Sequence, residues 1–110
     1  MNGFQMFYEN LSYKEIAKSC PDVDVVVGGH SNTFLYSGDQ PSSEKIIGPY
    51  PTEIKQTGGK IVPVVQAYAY TKYLGHLVLT FDDDGNLDDF NGNPILLTQD
   101  LPQGKYYLHF

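Results

Sequence analysis

Apolar and polar positions change rhythm several times along this chain. Residues 11–16 read Leu-Ser-Tyr-Lys-Glu-Ile. Ser12 with Glu15 three residues on is the pattern of a capping box, and Leu11 and Ile16 stand where a hydrophobic staple needs them. The pattern predicts a helix from Ser12 to about Cys20, where Pro21 stops it. Residues 23–27, Val-Asp-Val-Val-Val, follow at once and predict a short strand lying inside a sheet. Residues 33–59 are irregular, broken by Gly38, Pro41, Gly48, Pro49 and Pro51. The Gly58-Gly59 turn predicts a hairpin between residues 50–55 and 60–67, with Pro63 marking an edge or a bulge. Residues 77–81 form a further strand, residues 82–86 a turn, and residues 87–90 pair back. From Asn91 onward the chain reads as loop, with a weak apolar patch at residues 94–97. No repeat, low-complexity tract or domain boundary interrupts the 110 residues, so they read as one domain.

Composition narrows the partners. Hydrophobic residues are 41% of the chain, the content of a globular protein. The formal charge of −6 argues against nucleic acid or an anionic membrane surface, which select for Lys and Arg. It leaves room for a small phosphate ester held by metal ions, because the ions supply the positive charge. Cys20 is the only cysteine, so no intrachain disulfide forms, and it is expected as a small buried group at a helix end. No apolar run is long enough to span a bilayer, and the first residues, MNGFQMF, lack the pattern of a signal peptide. Asn10-Leu11-Ser12 matches the glycosylation sequon, a triplet common by chance.

Chemistry concentrates at the end of the first strand, in VDVVVGGHSNTFL, residues 23–35. Ligands of open α/β sheets bind outside the carboxyl ends of the strands. Gly28 and Gly29 permit backbone angles closed to other residues and a close approach. In an extended segment His30 and Asn32 project together and Ser31 turns aside. An imidazole nitrogen and an amide oxygen suit zinc, manganese or a similar ion, and two ions roughly 3.5–4 Å apart can clamp a phosphoryl transfer. Spacing alone does not separate this from a loop histidine with no ligand, since H-x-N is common. No H-E-x-x-H, paired cysteine or P-loop accompanies it.

VDVVVGGHSNTFL, then KIVPVVQAYAYTKYLGHLVLTFDDDGN and GNPILL, together resemble the 5′-nucleotidase family, especially the animal ecto-enzymes, from about Ile16 to Leu101. The resemblance implies an α/β (α+β) metallophosphoesterase sandwich of the calcineurin-like kind, here reduced to one helix and a small mixed sheet. It implies a divalent metal pair, usually zinc, with His30 on one ion and the Asn32 amide oxygen on the other. The implied reaction is hydrolysis of nucleoside 5′-monophosphates such as AMP. The implied setting is extracellular or at the cell surface, as a membrane-anchored homodimer.

The departures are equally specific. The family's D-x-H motif, bridging aspartate and N-H-[DE] motif are absent, as is its further metal-binding histidine, where this chain reads residues 2–8, Asn-Gly-Phe-Gln-Met-Phe-Tyr. The base-gripping C-terminal domain and anchor signal have no counterpart, and residues 104–110 match nothing in the family. The expectation is the C-terminal part of a catalytic domain, as a fragment or aberrant product, inactive alone. The alternatives are a non-enzymatic binding module on a diverged scaffold, and an apyrase or nucleotide-sugar hydrolase of the same superfamily. His76 is expected on the strand face opposite Leu77 and Leu79, and residues 82–86 as a solvated turn and not a calcium loop. Tyr68, Tyr70 and Tyr73 are expected to pack on the sheet more than to stack on a base. His109 carries no signal.

Overall fold

A computed structural model describes residues 9–101. Helix α1 spans Glu9–Ser19 and is followed by β1 (Val26–Val27), β2 (Thr52–Lys55), β3 (Ile61–Val65), β4 (Tyr73–Phe81) and β5 (Leu87–Leu96). β1, β3 and β2 form one sheet in that order, β1–β3 parallel and β2–β3 antiparallel, and β4–β5 form a two-stranded antiparallel ribbon. One helix with small mixed sheets is the α+β arrangement expected. What the sequence suggested for residues 1–8 and 102–110 lies outside the described residues.

Helix α1 begins three residues before Ser12, so Ser12 lies within it and is not its cap. The far end is closed from outside the helix. Gln56 Nε2 donates to Ala17 O at 2.7 Å and to Cys20 O at 2.9 Å. Lys60 Nζ donates to Pro21 O at 2.9 Å and pairs with Asp24 at 2.8 Å. Gln56 thus supplies a partner to the last-turn carbonyl of Ala17, and both side chains tie down the residues just past the helix. Cys20, expected to be buried, is half-buried just past the last helical residue.

The core has two sides because β3 is covered on both. Tyr13 and Ala17 of α1 pack on Val26, Val62 and Val64, with Ile16, Val23 and Ile54 against them. On the opposite face Leu35, Tyr50 and Val65 pack with Leu77 of the ribbon. Alternation along β3 sends even and odd residues to these two sides.

The Gly58-Gly59 hairpin forms as expected, with Gln56 N donating to Lys60 O at 2.8 Å. Pro63 sits elsewhere than expected: β3 is the central strand, and Pro63 pairs with Glu53 without a bulge. Gly28 N donates to Val65 O, so Val65 turns its backbone groups toward β1. By the two-residue repeat Pro63 turns its nitrogen the same way, beyond the start of the two-residue β1. The first strand is also corrected. It is two residues long and lies at the edge of the sheet, with Val27 69% exposed.

The ribbon is longer than the pattern suggested. Residues 91–96, read as loop, belong to β5 and pair with β4 as far as Tyr73↔Leu96. In a two-stranded ribbon alternate N–H groups face away from the partner, so Pro94 is tolerated. Asn93 docks the ribbon on the irregular segment: its Oδ1 accepts from Ser37 N at 3.1 Å and its Nδ2 donates to Ser37 O at 2.8 Å. His76 and Val78 are exposed while Leu77 and Leu79 are half-buried, the alternation anticipated. Residues 82–86 make a turn in which Asp82 Oδ1 accepts from Asp84 N and Asn86 N, both at 2.9 Å.

Phe34 anchors the irregular segment. Its ring, 1% exposed, lies 4.4 Å from Tyr73, 5.6 Å from Tyr36 and 6.3 Å from Tyr68, between centroids. Tyr68 and Tyr73 thus pack as expected, whereas Tyr70 is 81% exposed. Nearby, Glu44 accepts from Lys72 Nζ at 2.5 Å and from the Tyr73 hydroxyl at 2.7 Å.

Those contacts make stability depend on pH at both ends. The Lys72 and Tyr73 hydrogen bonds hold the Glu44 carboxyl below its ordinary 4.5. Its contribution is therefore full above that value and lost as pH falls through the lowered one. Burial first, and then the Glu44 hydrogen bond, push Tyr73 up from 10.0 to about 12. The folded state keeps a proton that the unfolded chain releases, so stability falls as pH rises between these values. Urea midpoints measured from pH 9 to 12 are expected to decline less steeply in Tyr73→Phe than in the wild type. Equal slopes would contradict the assignment.

Candidate functional site

The loop leaving β1 carries His30 and Asn32, and α1 and β3 fix its course. Gly28 N is tied to Val65 O at 2.8 Å, which extends the β1–β3 alignment by one residue. The Tyr13 hydroxyl, reaching over from α1, accepts from Gly29 N at 3.0 Å and donates to Gly29 O. Ser31 N also donates to Gly29 O, at 2.8 Å. With His30 at φ 67°, that bond closes a γ-turn of the rare, strained kind, with His30 at its apex.

The segment is therefore not extended, contrary to the sequence expectation. His30 and Asn32 both adopt left-handed backbone angles, Asn32 at φ 53°. Histidine and asparagine are among the residues that tolerate this region best. The outcome still separates the three side chains. His30 and Asn32 are exposed, and Ser31 is half-buried. Ser31 Oγ meets the Thr33 hydroxyl at 2.9 Å and the Gln66 amide at 3.0 and 3.2 Å. Turned so that both ends of its amide are satisfied, Gln66 also accepts from Thr33 N at 2.9 Å and Asn32 N at 3.2 Å.

Of the two things expected of the glycines, backbone freedom and a close approach, only the second holds, and at Gly28. Neither Gly28 nor Gly29 takes the left-handed angles. A Cβ on Gly28 would lie 3.1 Å from the Gln66 amide and 3.1–3.2 Å from the Tyr13 ring. Gly28 is the floor over which the two side chains reach the loop. Around Gly29 nothing comes within 4 Å of an added Cβ.

Tyr13 and Gln66 were not singled out from the sequence. Tyr13 is 16 residues from its partner, and no local pattern joins them. Gln66 left a faint mark, as the one amide ending the apolar run Ile61-Val62-Pro63-Val64-Val65.

An exposed imidazole and an exposed amide two residues apart fit two positions of a metal centre. A zinc centre takes three or four protein ligands. Among the described residues no group of three or more His, Cys, Asp or Glu comes together, so they do not complete one. His76 stands opposite Asn93 on the ribbon, and neither it nor the aspartates of the 82–86 turn joins His30 in a group of three or more such residues.

No protein-family profile matches the chain. It is 54% identical over 102 residues to a 5′-nucleotidase of Homo sapiens, covering 93% of this chain and 17% of that protein. It is 50% identical over 103 residues to a snake venom 5′-nucleotidase of Macrovipera lebetinus, covering 94% of this chain and 24% of the relative. Among solved structures it resembles the 5′-nucleotidase precursor of Thermus thermophilus, with a TM-score of 0.61 and 45% identity, over 68% of this chain and 15% of that one. The chain thus spans a quarter or less of these proteins.

Proposed function

Because the chain belongs to the 5′-nucleotidase family, we propose that it forms one wall of a site hydrolysing nucleoside 5′-monophosphates, with His30 and Asn32 as two ligands of a divalent metal pair, zinc by preference. The observation that carries this reading is 50–54% identity, across more than nine-tenths of the chain, to proteins named for that activity. The position of the loop agrees with it, since His30 and Asn32 follow the carboxyl end of a parallel strand.

When bound, the ions supply Lewis acidity toward the phosphate. The chain's own part is to present an imidazole nitrogen and an amide oxygen from a loop held at Gly28, Gly29 and Ser31. The described residues gather no group of three or more His, Cys, Asp or Glu that would complete the centre. Alone, the 110 residues are inactive in this reading. An extracellular setting is part of the same proposal, supported by the venom relative. Among the described residues no helix is long and apolar enough to cross a membrane.

Two assays test the reading. Purified chain with AMP and zinc is expected to release no phosphate above the buffer rate. Zinc-dependent release that disappears in His30→Ala would show the chain to be sufficient and overturn its inactivity. Residues 16–101 grafted in place of the matching stretch of the human relative are expected to support AMP hydrolysis. His30→Ala in that graft should cost more than about a hundredfold, beyond what changes outside the ligand sphere cost. A graft indifferent to His30→Ala would remove the ligand assignment.

A further inference from the structure

We infer that Tyr13 is a positioning residue: its hydroxyl, bonded to both backbone polar groups of Gly29, holds the strained turn that presents His30 and Asn32 to a divalent cation. The inference rests on the ligand assignment proposed above and adds what sets the geometry of those ligands.

Three observations converge. The turn at His30 is of an unfavourable kind, with left-handed angles on two non-glycine residues within three positions. Such conformations persist only where the surroundings over-determine them. Gly29 is where the determination is applied. Its carbonyl accepts from Ser31 N, the bond that closes the turn, and from the Tyr13 hydroxyl. Its N–H is held by the same hydroxyl at 3.0 Å. One phenol oxygen thus holds both backbone polar groups of the residue from which the turn starts.

The Tyr13 ring has a separate task. It is 2% exposed and packs with Ala17, Val26, Val62 and Val64. A phenylalanine serves that packing equally well but makes neither bond to Gly29. Gly28 completes the device, because any side chain there would meet the Tyr13 ring and the Gln66 amide. The helix face that fills the core and the hydroxyl that sets the loop belong to one residue.

Groups that orient metal ligands through a hydrogen bond typically alter metal affinity by about 10–100-fold when removed. The test uses the 110-residue chain in four forms: wild type, Tyr13→Phe, His30→Ala and Ala17→Gly. Zinc is titrated in the millimolar range and followed at the His30 imidazole resonances. The amide exchange of Gly29 and the φ-dependent coupling of His30 are recorded without metal. Tyr13→Phe is expected to weaken zinc binding at His30 about tenfold or more, speed exchange at Gly29 and change the His30 coupling. Ala17→Gly loosens the same helix without touching the loop and is expected to keep wild-type zinc affinity. Tyr13→Phe matching the wild type in affinity and coupling would overturn the inference while leaving the ligands in place. Equal weakening in Ala17→Gly would also overturn it, by showing general loosening. No response of wild-type His30 to zinc, or a response unchanged in His30→Ala, would overturn the ligand assignment and the inference with it.

Discussion

Gly92→Ala is expected to break the ribbon. A Cβ at this position would lie 2.0 Å from the His76 carbonyl oxygen and 2.8 Å from the Leu77 Cα. Both atoms are backbone of the facing strand, where Gly92 pairs with Leu77, so no rotamer change relieves the clash. Overpacking in a fitted interior costs about 1–3 kcal/mol, and a collision with paired backbone belongs at or above the top of that range. The ribbon must slide or part, and Asn93, the next residue, then leaves Ser37. The expected result is a loss of at least about 3 kcal/mol in urea unfolding, with accelerated amide exchange along β4 and β5. Gly29→Ala is the matched control. Nothing lies near its added Cβ, and it should stay within about 0.5 kcal/mol of the wild type. Equal costs for the two substitutions would refute the packing described for the ribbon.

Phe34→Ala is expected to match or exceed that loss. Phe34 is almost fully buried, with three tyrosine rings around it from the irregular segment, the turn before β4 and β4 itself. Truncating a buried Phe costs about 3–5 kcal/mol, and aromatic pairing adds about 0.5–1.5 kcal/mol per pair beyond burial. A domain of this size is stable by about 5–15 kcal/mol in all, so the variant is close to unfolding at 25 °C. Its near-ultraviolet circular dichroism should lose tyrosine intensity before its far-ultraviolet signal changes, because those rings depend on Phe34 for their asymmetric packing. A midpoint shift worth less than about 1 kcal/mol would mean that the tyrosines close over the gap.

These two residues also show where the sequence was readable. The β2–β3 hairpin was legible because Gly58-Gly59 fixes its turn locally. The second half of β5 was not, because Asn91-Gly92-Asn93-Pro94 has the composition of a loop and is extended only by pairing with β4. Pro63 misled for a related reason. A proline is barred from a central strand only where its nitrogen faces a paired neighbour, and the brevity of β1 cannot be read from five β-branched and acidic residues. At the site, the end of the strand pointed to His30 and Asn32, but H-x-N spacing is weak by itself and the resemblance carried most of their assignment. The glycines before them drew attention to backbone freedom, yet the left-handed angles fell on the histidine and the asparagine. Tertiary contacts from Tyr13 and Gln66 decide that, and such contacts leave no periodic trace.

The brevity of β1 has a consequence for the order of folding. Hairpin β2–β3 and ribbon β4–β5 join near neighbours in sequence, so each closes a short loop. The parallel pairing of Val26 with Val64 closes a much longer one for only two residues of ladder. Loop-closure entropy delays such contacts until more local structure can reward them. The His30 loop continues directly from that pair, so it is set late in folding and is among the first places to open in the native state. In pulsed hydrogen exchange, the Gly28 amide should gain protection after those of the β2–β3 hairpin.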